Sequence, residues 1–237
     1  MQRGLVLFLL AGAVVAEESR FDVAGMVVDE SNRPVSGVNV ARFWSYKDGK
    51  PAPHEPLVTD AEGHFSGTVK HWRDYVYLTA YSADAALAGQ IGLGIKEKQK
   101  GLRIVLRPSV RIHGSIVSPA LGRKPPWTNV YVQQGDTPFL SQGSDEARID
   151  FRVPRGVFVL NAYGADIESV NKLVAATGEK PAIDLGAVSI RAGFFAVHKG
   201  RRLPAWKVTE ARGLPLDKTA VESFRGKWLL VEFWGFW

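Results

Sequence analysis

The sequence predicts a mainly β protein: two β-sandwich domains in succession, followed by the incomplete opening of an α/β segment at the C-terminus. Three observations carry this. Apolar residues alternate with polar ones in short runs bounded by turn residues from Phe21 onward, the period of a half-buried strand. A stretch of that pattern recurs: Tyr75 to Asp84 and Val157 to Asp166 share five of ten positions at one offset. Finally, Trp228 to Val231 is a continuous apolar run entered through a turn at Gly226, which suits a strand buried on both faces.

In chain order, Met1 to Ala16 carries one charge, at Arg3, then a small and apolar run from Gly4 to Ala16 before Glu17 and Glu18. The run is shorter than the ~20 residues that cross a bilayer. With Val14 and Ala16 at the positions a signal peptidase reads, residues 1–16 are expected to be a signal peptide; the other reading is an uncleaved membrane anchor. Either places the remainder outside the cytoplasm, in the periplasm or extracellular space.

The whole chain has 237 residues, 46% apolar and 23% charged, an ordinary globular composition. Its formal charge of +6 comes from 30 basic and 24 acidic residues spread along the chain. The clustered Lys/Arg stripe of a nucleic-acid binder is absent, so no nucleic-acid partner is expected. Zero cysteines exclude a disulfide framework, and each domain must be held by its own core.

Val23, Gly25 and Val27 alternate into Asp29, a turn follows through Pro34, and Val35, Gly37, Val38 and Val40 resume the alternation. Thr59 to Phe65 places Asp60 where it can cap a turn's backbone and Gly63 where a positive φ carries no steric penalty. Gly-x-Val-x-Asp, a polar turn with Pro, Gly-Val-x-Val and Thr-Asp-x-x-Gly-x-Phe together resemble the carboxypeptidase regulatory-like domain, a β-sandwich of transthyretin type. The resemblance spans residues 21–108 and implies a folding and binding module. Residues 109–191 are expected to form the second sandwich: Ile112 to Val117 echoes Val23 to Val28, and Ile183 to Ile190 closes this unit as Leu102 to Leu106 closes the first. The second copy lacks the Thr-Asp-x-x-Gly turn. Arg191 to Leu203 reads as a basic linker, or its Phe194, Phe195 and Val197 as a last strand.

Val231 to Trp237 resembles the strand that leads into the active site of thioredoxin-like proteins, where Phe-Trp-x-x-Trp precedes Cys-x-x-Cys. Leu203 to Trp206 and Val221 to Lys227 resemble the approach in exported TlpA- and ResA-like thiol-disulfide oxidoreductases, so residues 203–237 are expected to be the first part of such a domain, cut short before the cysteines. The resemblance implies that Glu232 is a candidate proton acceptor for the second thiol in the complete protein, or else a polar, non-catalytic residue. It implies that Trp237 adjoins the missing nucleophile, and that protein disulfides or dithiols are the substrates. The chain as it stands has no thiol. The rival reading is a non-enzymatic β-sandwich module that binds glycan or protein.

No cofactor or metal is expected, since His54, His64, His71, His113 and His198 stand in no ligand spacing. Asp60 and Glu62 offer too few oxygen donors for calcium, and Gly92 and Gly94 lack the rest of a dinucleotide fingerprint. Phe43, Trp44 and Tyr46, beside Pro51, Pro53 and Pro56, lie in a long insertion. They either grip a ligand from a stiff loop or finish a strand that covers a sandwich edge.

Overall fold

The computed structural model describes residues 19–47, 49–71, 75–94, 99–201 and 205–227. The alternating sequence folds as β-strands over most of this length. The first half forms β1 (Ser19–Val28), β2 (Asn39–Ala41), β3 (Phe43–Lys47), β4 (Lys50–His54), β5 (Leu57–Val58), β6 (His64–His71), β7 (Tyr75–Tyr81), β8 (Leu87–Gly94), β9 (Leu102–Val105) and β10 (Arg107–Pro108). The second forms β11 (Val110–Val117), β12 (Thr128–Gln134), β13 (Thr137–Ser144), β14 (Arg148–Val153), β15 (Gly156–Gly164), β16 (Ile167–Ala176) and β17 (Ala182–Ser189), before the short helix α1 (Phe194–His198).

Each half pairs a three-stranded sheet with a larger one. The first has the orders β6-β1-β9 and β10-β8-β7-β2-β5, the second β14-β11-β17 and β16-β15-β12-β13-β3-β4. In the first half Val23, Val27, Phe65 and Ile104 from one sheet share a core with Val40, Leu78 and Leu93 from the other, so the sheets pack face to face. Ile112, Ile149 and Phe151 meet Val130, Phe158 and Leu160 in the same way in the second half.

The repeated segments of the sequence occupy equivalent strands. β1 and β11 each pair antiparallel with one neighbour, β6 or β14, and parallel with the other, β9 or β17. The matched stretches starting at Tyr75 and Val157 lie on β7 and β15. Even single backbone bonds recur: the Val27 amide donates to Gly63 O at 2.8 Å and the Ile116 amide to Ala147 O at 2.7 Å, while Leu106 N–H to Val28 O and Ile190 N–H to Val117 O are both 2.8 Å.

The turn before β6 forms as its residues dictate. Asp60 Oδ1 accepts from the amides of Glu62 at 3.1 Å and His64 at 2.8 Å, and Gly63 sits at φ +76°. The second unit makes the same turn from other residues. Ser144 Oγ accepts from the amides of Glu146 and Arg148, both at 3.1 Å, and Ala147 takes φ +53° in the place of Gly63. A hydroxyl and an alanine thus do what aspartate and glycine do in the first copy, which hid this turn from motif reading.

Beside that turn, Arg111 donates from Nε and Nη2 to the two oxygens of Asp150 at 2.7 and 2.8 Å, and Arg148 adds a further hydrogen bond. The Arg111 hydrogen bond holds the Asp150 carboxyl below the usual aspartate range, against the opposing effect of partial burial. A depressed folded-state pKa stabilises above the unfolded value of about 3.9, and that stability is lost as pH falls through the folded one. Urea midpoints measured from neutral pH into acid should therefore show Asp150→Asn less stable than the parent at neutral pH, with the difference shrinking as pH falls.

The insertion of the first unit is the hairpin β3–β4, and it leaves its own sandwich. β3 pairs parallel with β13 through Trp44↔Leu140 and Ser45↔Ser141, extending the larger sheet of the second unit. It covers a strand edge that would otherwise stand open, and the new edge, β4, carries Pro51 and Pro53, which blunt further pairing. Trp44 and Tyr46 are buried on this hairpin, so of the two readings of these aromatics the strand that covers an edge is the one observed.

After β17, Ala192 bridges back to Ile167, and Phe194 to His198 form α1 and not a strand. The Gly193 amide donates to Asp166 O at 2.8 Å, turning the chain at the helix start, and the His198 ring stacks on Phe194 with centroids 4.2 Å apart. Residues 205–227 hold two single 3-10 turns, Leu216–Lys218 and Val221–Phe224, with Trp206 Nε1 donating to Thr219 O at 2.7 Å. Those described residues contain no strand. The signal segment, residues 1–16, lies outside the described residues.

Candidate functional site

Glu232 and Trp237, the site residues singled out in the sequence, lie outside the described residues. Among the described residues no three His, Asp or Glu side chains gather as a metal site. What the fold does assemble is a block of aromatic and amide side chains on the outer face of the six-stranded sheet.

Its construction follows from strand alternation. Phe158, Leu160 and Ala162 on β15 and Val130 and Val132 on β12 point into the core. The intervening Asn161, Tyr163, Asn129 and Tyr131 must point outward. Antiparallel register places Asn129 opposite Tyr163 and Tyr131 opposite Asn161, so tyrosines occupy one diagonal of a square and asparagines the other. The tyrosine rings stack at 5.7 Å with planes 21° apart, and Trp127, 45% exposed, meets Tyr163 edge-on at 5.9 Å. Gln133 and Asn171 border the block through their pairing with Val159 and Asn161. None of these outward positions is charged.

The polar links within the block are long. Asn129 Nδ2 donates to the Tyr163 hydroxyl at 3.3 Å, and that hydroxyl donates to Tyr131 at 3.4 Å, beyond the usual O–H···O range. The link to Tyr131, with some desolvation, holds the Tyr163 hydroxyl above the ordinary phenol range. Asn129 Oδ1 and Asn161 Nδ2 are buried with no hydrogen-bond partner. Orphaned polar atoms of this kind cost about 1–3 kcal/mol each.

The same square exists in the first unit, where it is closed. There Asn39 stands opposite Tyr81 and Ala41 opposite Thr79. Trp44 from the hairpin packs on Tyr81 with centroids 4.7 Å apart and donates from Nε1 to Thr79 O at 3.2 Å. Tyr81 donates to Arg152 O at 2.8 Å, and burial pushes its hydroxyl well above the ordinary range. One outer face is therefore spent on joining the units, and its counterpart faces solvent. The residues of the open face went unread in the sequence, although a signal was there: Asn-x-Tyr occurs at Asn129 to Tyr131 and again at Asn161 to Tyr163.

A concavity of about 330 Å³ opens elsewhere, beside the hairpin base, between Arg42, Phe43, His54, Glu55 and Lys70. Lys70 donates to Glu55 at 2.8 Å, and His54 Nε2 lies 2.7 Å from Ser45 Oγ. Its charges are thus partly spent on one another. Gly92, which resembles no phosphate loop, has a structural use: the Tyr75 ring lies where a Cβ at Gly92 would fall, 2.4 Å from its hydroxyl.

No family model matches the chain, and no curated protein sequence matches it. Solved structures with a similar chain course include the TIE protein of Bacillus anthracis (12% identity, 73% of this chain and 34% of that one, TM-score 0.33) and a streptococcal ancillary pilin (11%, 74% and 63%, TM-score 0.31). A third is the shaft pilin spaA from Lactobacillus rhamnosus GG (6%, 74% and 98%, TM-score 0.31). The chain thus spans about a third of the first and under two thirds of the second. Scores this low assign neither family nor function.

Proposed function

We propose that this chain is a non-enzymatic binding module of the bacterial cell exterior, periplasmic or extracellular, in which residues 21–108 and 109–191 form two sandwich domains of carboxypeptidase regulatory-like type. Its ligand is a glycan or a protein. The observation that carries this reading is the aromatic and amide block of half-buried Asn129, Tyr131, Asn161 and Tyr163 beside exposed Trp127, whose counterpart in the first unit is covered by protein. A uniformly solvated sheet face has no use for two orphaned amide atoms, whereas a face that receives a ligand does. Export follows from the leader-like residues 1–16.

The test is to immobilise cell-envelope polysaccharide and purified exported proteins side by side and pass the full chain over both. Saturable binding to one of them, lost in Tyr131→Ala and Tyr163→Ala variants that still melt cooperatively, is the expected result. Binding that both variants keep would show that the face is not used.

A second reading is favoured by the resemblance at Val231 to Trp237. In it residues 203–237 open a thioredoxin-like domain of a longer thiol-disulfide oxidoreductase, for which the sandwiches supply substrate contacts. A chain that continues past Trp237 with Cys-x-x-Cys should then reduce or oxidise protein disulfides. Glu232→Gln should slow release of the mixed disulfide and leave the first attack nearly unchanged. If such a chain leaves disulfide substrates untouched, this reading fails and the binding module stands alone.

A further inference from the structure

Taking the binding-module reading as its base, the geometry points to a ligand class for the open face: we infer that it binds a neutral pyranose unit of a glycan. The covered face of the first unit shows why a protein hairpin is the poorer fit. Trp44 seats there over a square completed by the small residues Ala41 and Thr79. In the second unit those two positions are Tyr131 and Asn161, which fill the volume that an incoming indole would need. What replaces the room for a Trp is a stacked pair of phenol rings with an amide at each remaining corner.

That combination matches a sugar ring. The apolar C–H face of a pyranose lies on aromatic rings, and its hydroxyls, each both donor and acceptor, suit the two open valences. Asn129 Oδ1 has an acceptor site free and Asn161 Nδ2 a donor. Both atoms are covered in the free protein. A ligand reaches them only if a neighbouring side chain yields, and Tyr131, half-buried with its hydroxyl held by the 3.4 Å contact from Tyr163, is the ring proposed to do so. The long, loose links of the free face are then exchanged for hydrogen bonds to the ligand. Neutrality follows from the surroundings: Asn129, Tyr131, Gln133, Asn161, Tyr163 and Asn171 give amide and phenol groups only, with no cation to pair with a uronate or sulfate. Exposed Trp127 extends the platform toward a neighbouring sugar.

The experiment uses the full chain with a soluble glucan, a galactomannan and a xylan as neutral probes and polygalacturonate as the anionic one. Affinity electrophoresis and titration calorimetry read the binding. Retardation by at least one neutral polysaccharide is expected, with affinity at least about tenfold weaker in Tyr163→Ser and in Asn161→Leu, as for truncation of a central contact. Asn161→Leu should melt at or above the parent temperature, because it removes an orphaned polar atom while keeping the side chain's bulk. An asparagine with a merely structural role would lose stability instead. Val58→Thr, on an exposed strand of the first unit, should bind as the parent does. The inference is overturned if no neutral polysaccharide binds, if only polygalacturonate does, or if Asn161→Leu binds unchanged. Should the face variants then lose binding to an immobilised exported protein, the binding module survives and the glycan class falls. If they alter neither, both fall.

Discussion

Trp44→Ala should lower the stability of the whole chain by about 3–5 kcal/mol, the range for emptying a buried aromatic site. The indole is 1% exposed, packs on Tyr81 and donates to Thr79 O. It belongs to the core of the second unit although it is encoded within the first. Its loss should therefore loosen the parallel pairing of β3 with β13 and uncouple the units, since Tyr46 against Phe151 and Tyr81 to Arg152 O depend on the same docking. In calorimetry the parent should give one transition. The variant should melt on the order of 10 °C lower, given a chain of this size, with a broadened or split peak. A single unshifted transition would show that the hairpin rests on the second sandwich without holding it.

Gly25→Val is expected to have the next largest effect, about 3 kcal/mol or more, as a case of overpacking against backbone. A Cβ on Gly25 would lie 2.5 Å from Leu102 O, 2.7 Å from Leu102 Cβ and 2.8 Å from Phe65 Cζ. The first two belong to β9, which pairs parallel with β1, so the strand itself must move, taking Ile104 and Leu106 out of register with the core. Gly114 holds the equivalent place on β11, but there a Cβ would meet Gly186 O at 2.8 Å and Leu185 Cβ at 3.0 Å. Gly114→Ala should accordingly cost less than Gly25→Ala in urea unfolding. Equal, small losses at both sites would mean that the parallel strands pack less closely than these distances require.

These two positions also show what was legible in the sequence. Gly25 stands in the Gly-x-Val-x-Asp pattern and Gly114 in its repeat, and the alternation around them gave the strands and the duplicated order, because burial of one sheet face imposes a period of two. The Asp60 to Gly63 turn could be read because its residue types each have one local job. Its twin at Ser144 to Ala147 could not, since a serine acceptor and an alanine at positive φ carry no such signature. The docking of Trp44 beside Leu140 was beyond reach for a different reason. A hairpin's own alternation says that one side is buried, not against which strand of which unit. The open face needed pairing register as well as pattern: Asn129 and Tyr163 become neighbours only once β12 and β15 are aligned.

One aromatic square is shut by the protein itself, and under the proposed function its twin is left open for a ligand. Hydroxyl-radical footprinting of the full chain, read residue by residue by mass spectrometry, tests this most directly. Trp127, Tyr131 and Tyr163 should be oxidised readily, and Trp44 and Tyr81, at 1% and 2% exposure, should be protected until the chain unfolds. Protection of Tyr163 and Trp127 as strong as that of Tyr81 would mean that another part of the chain already occupies the face, contradicting the account.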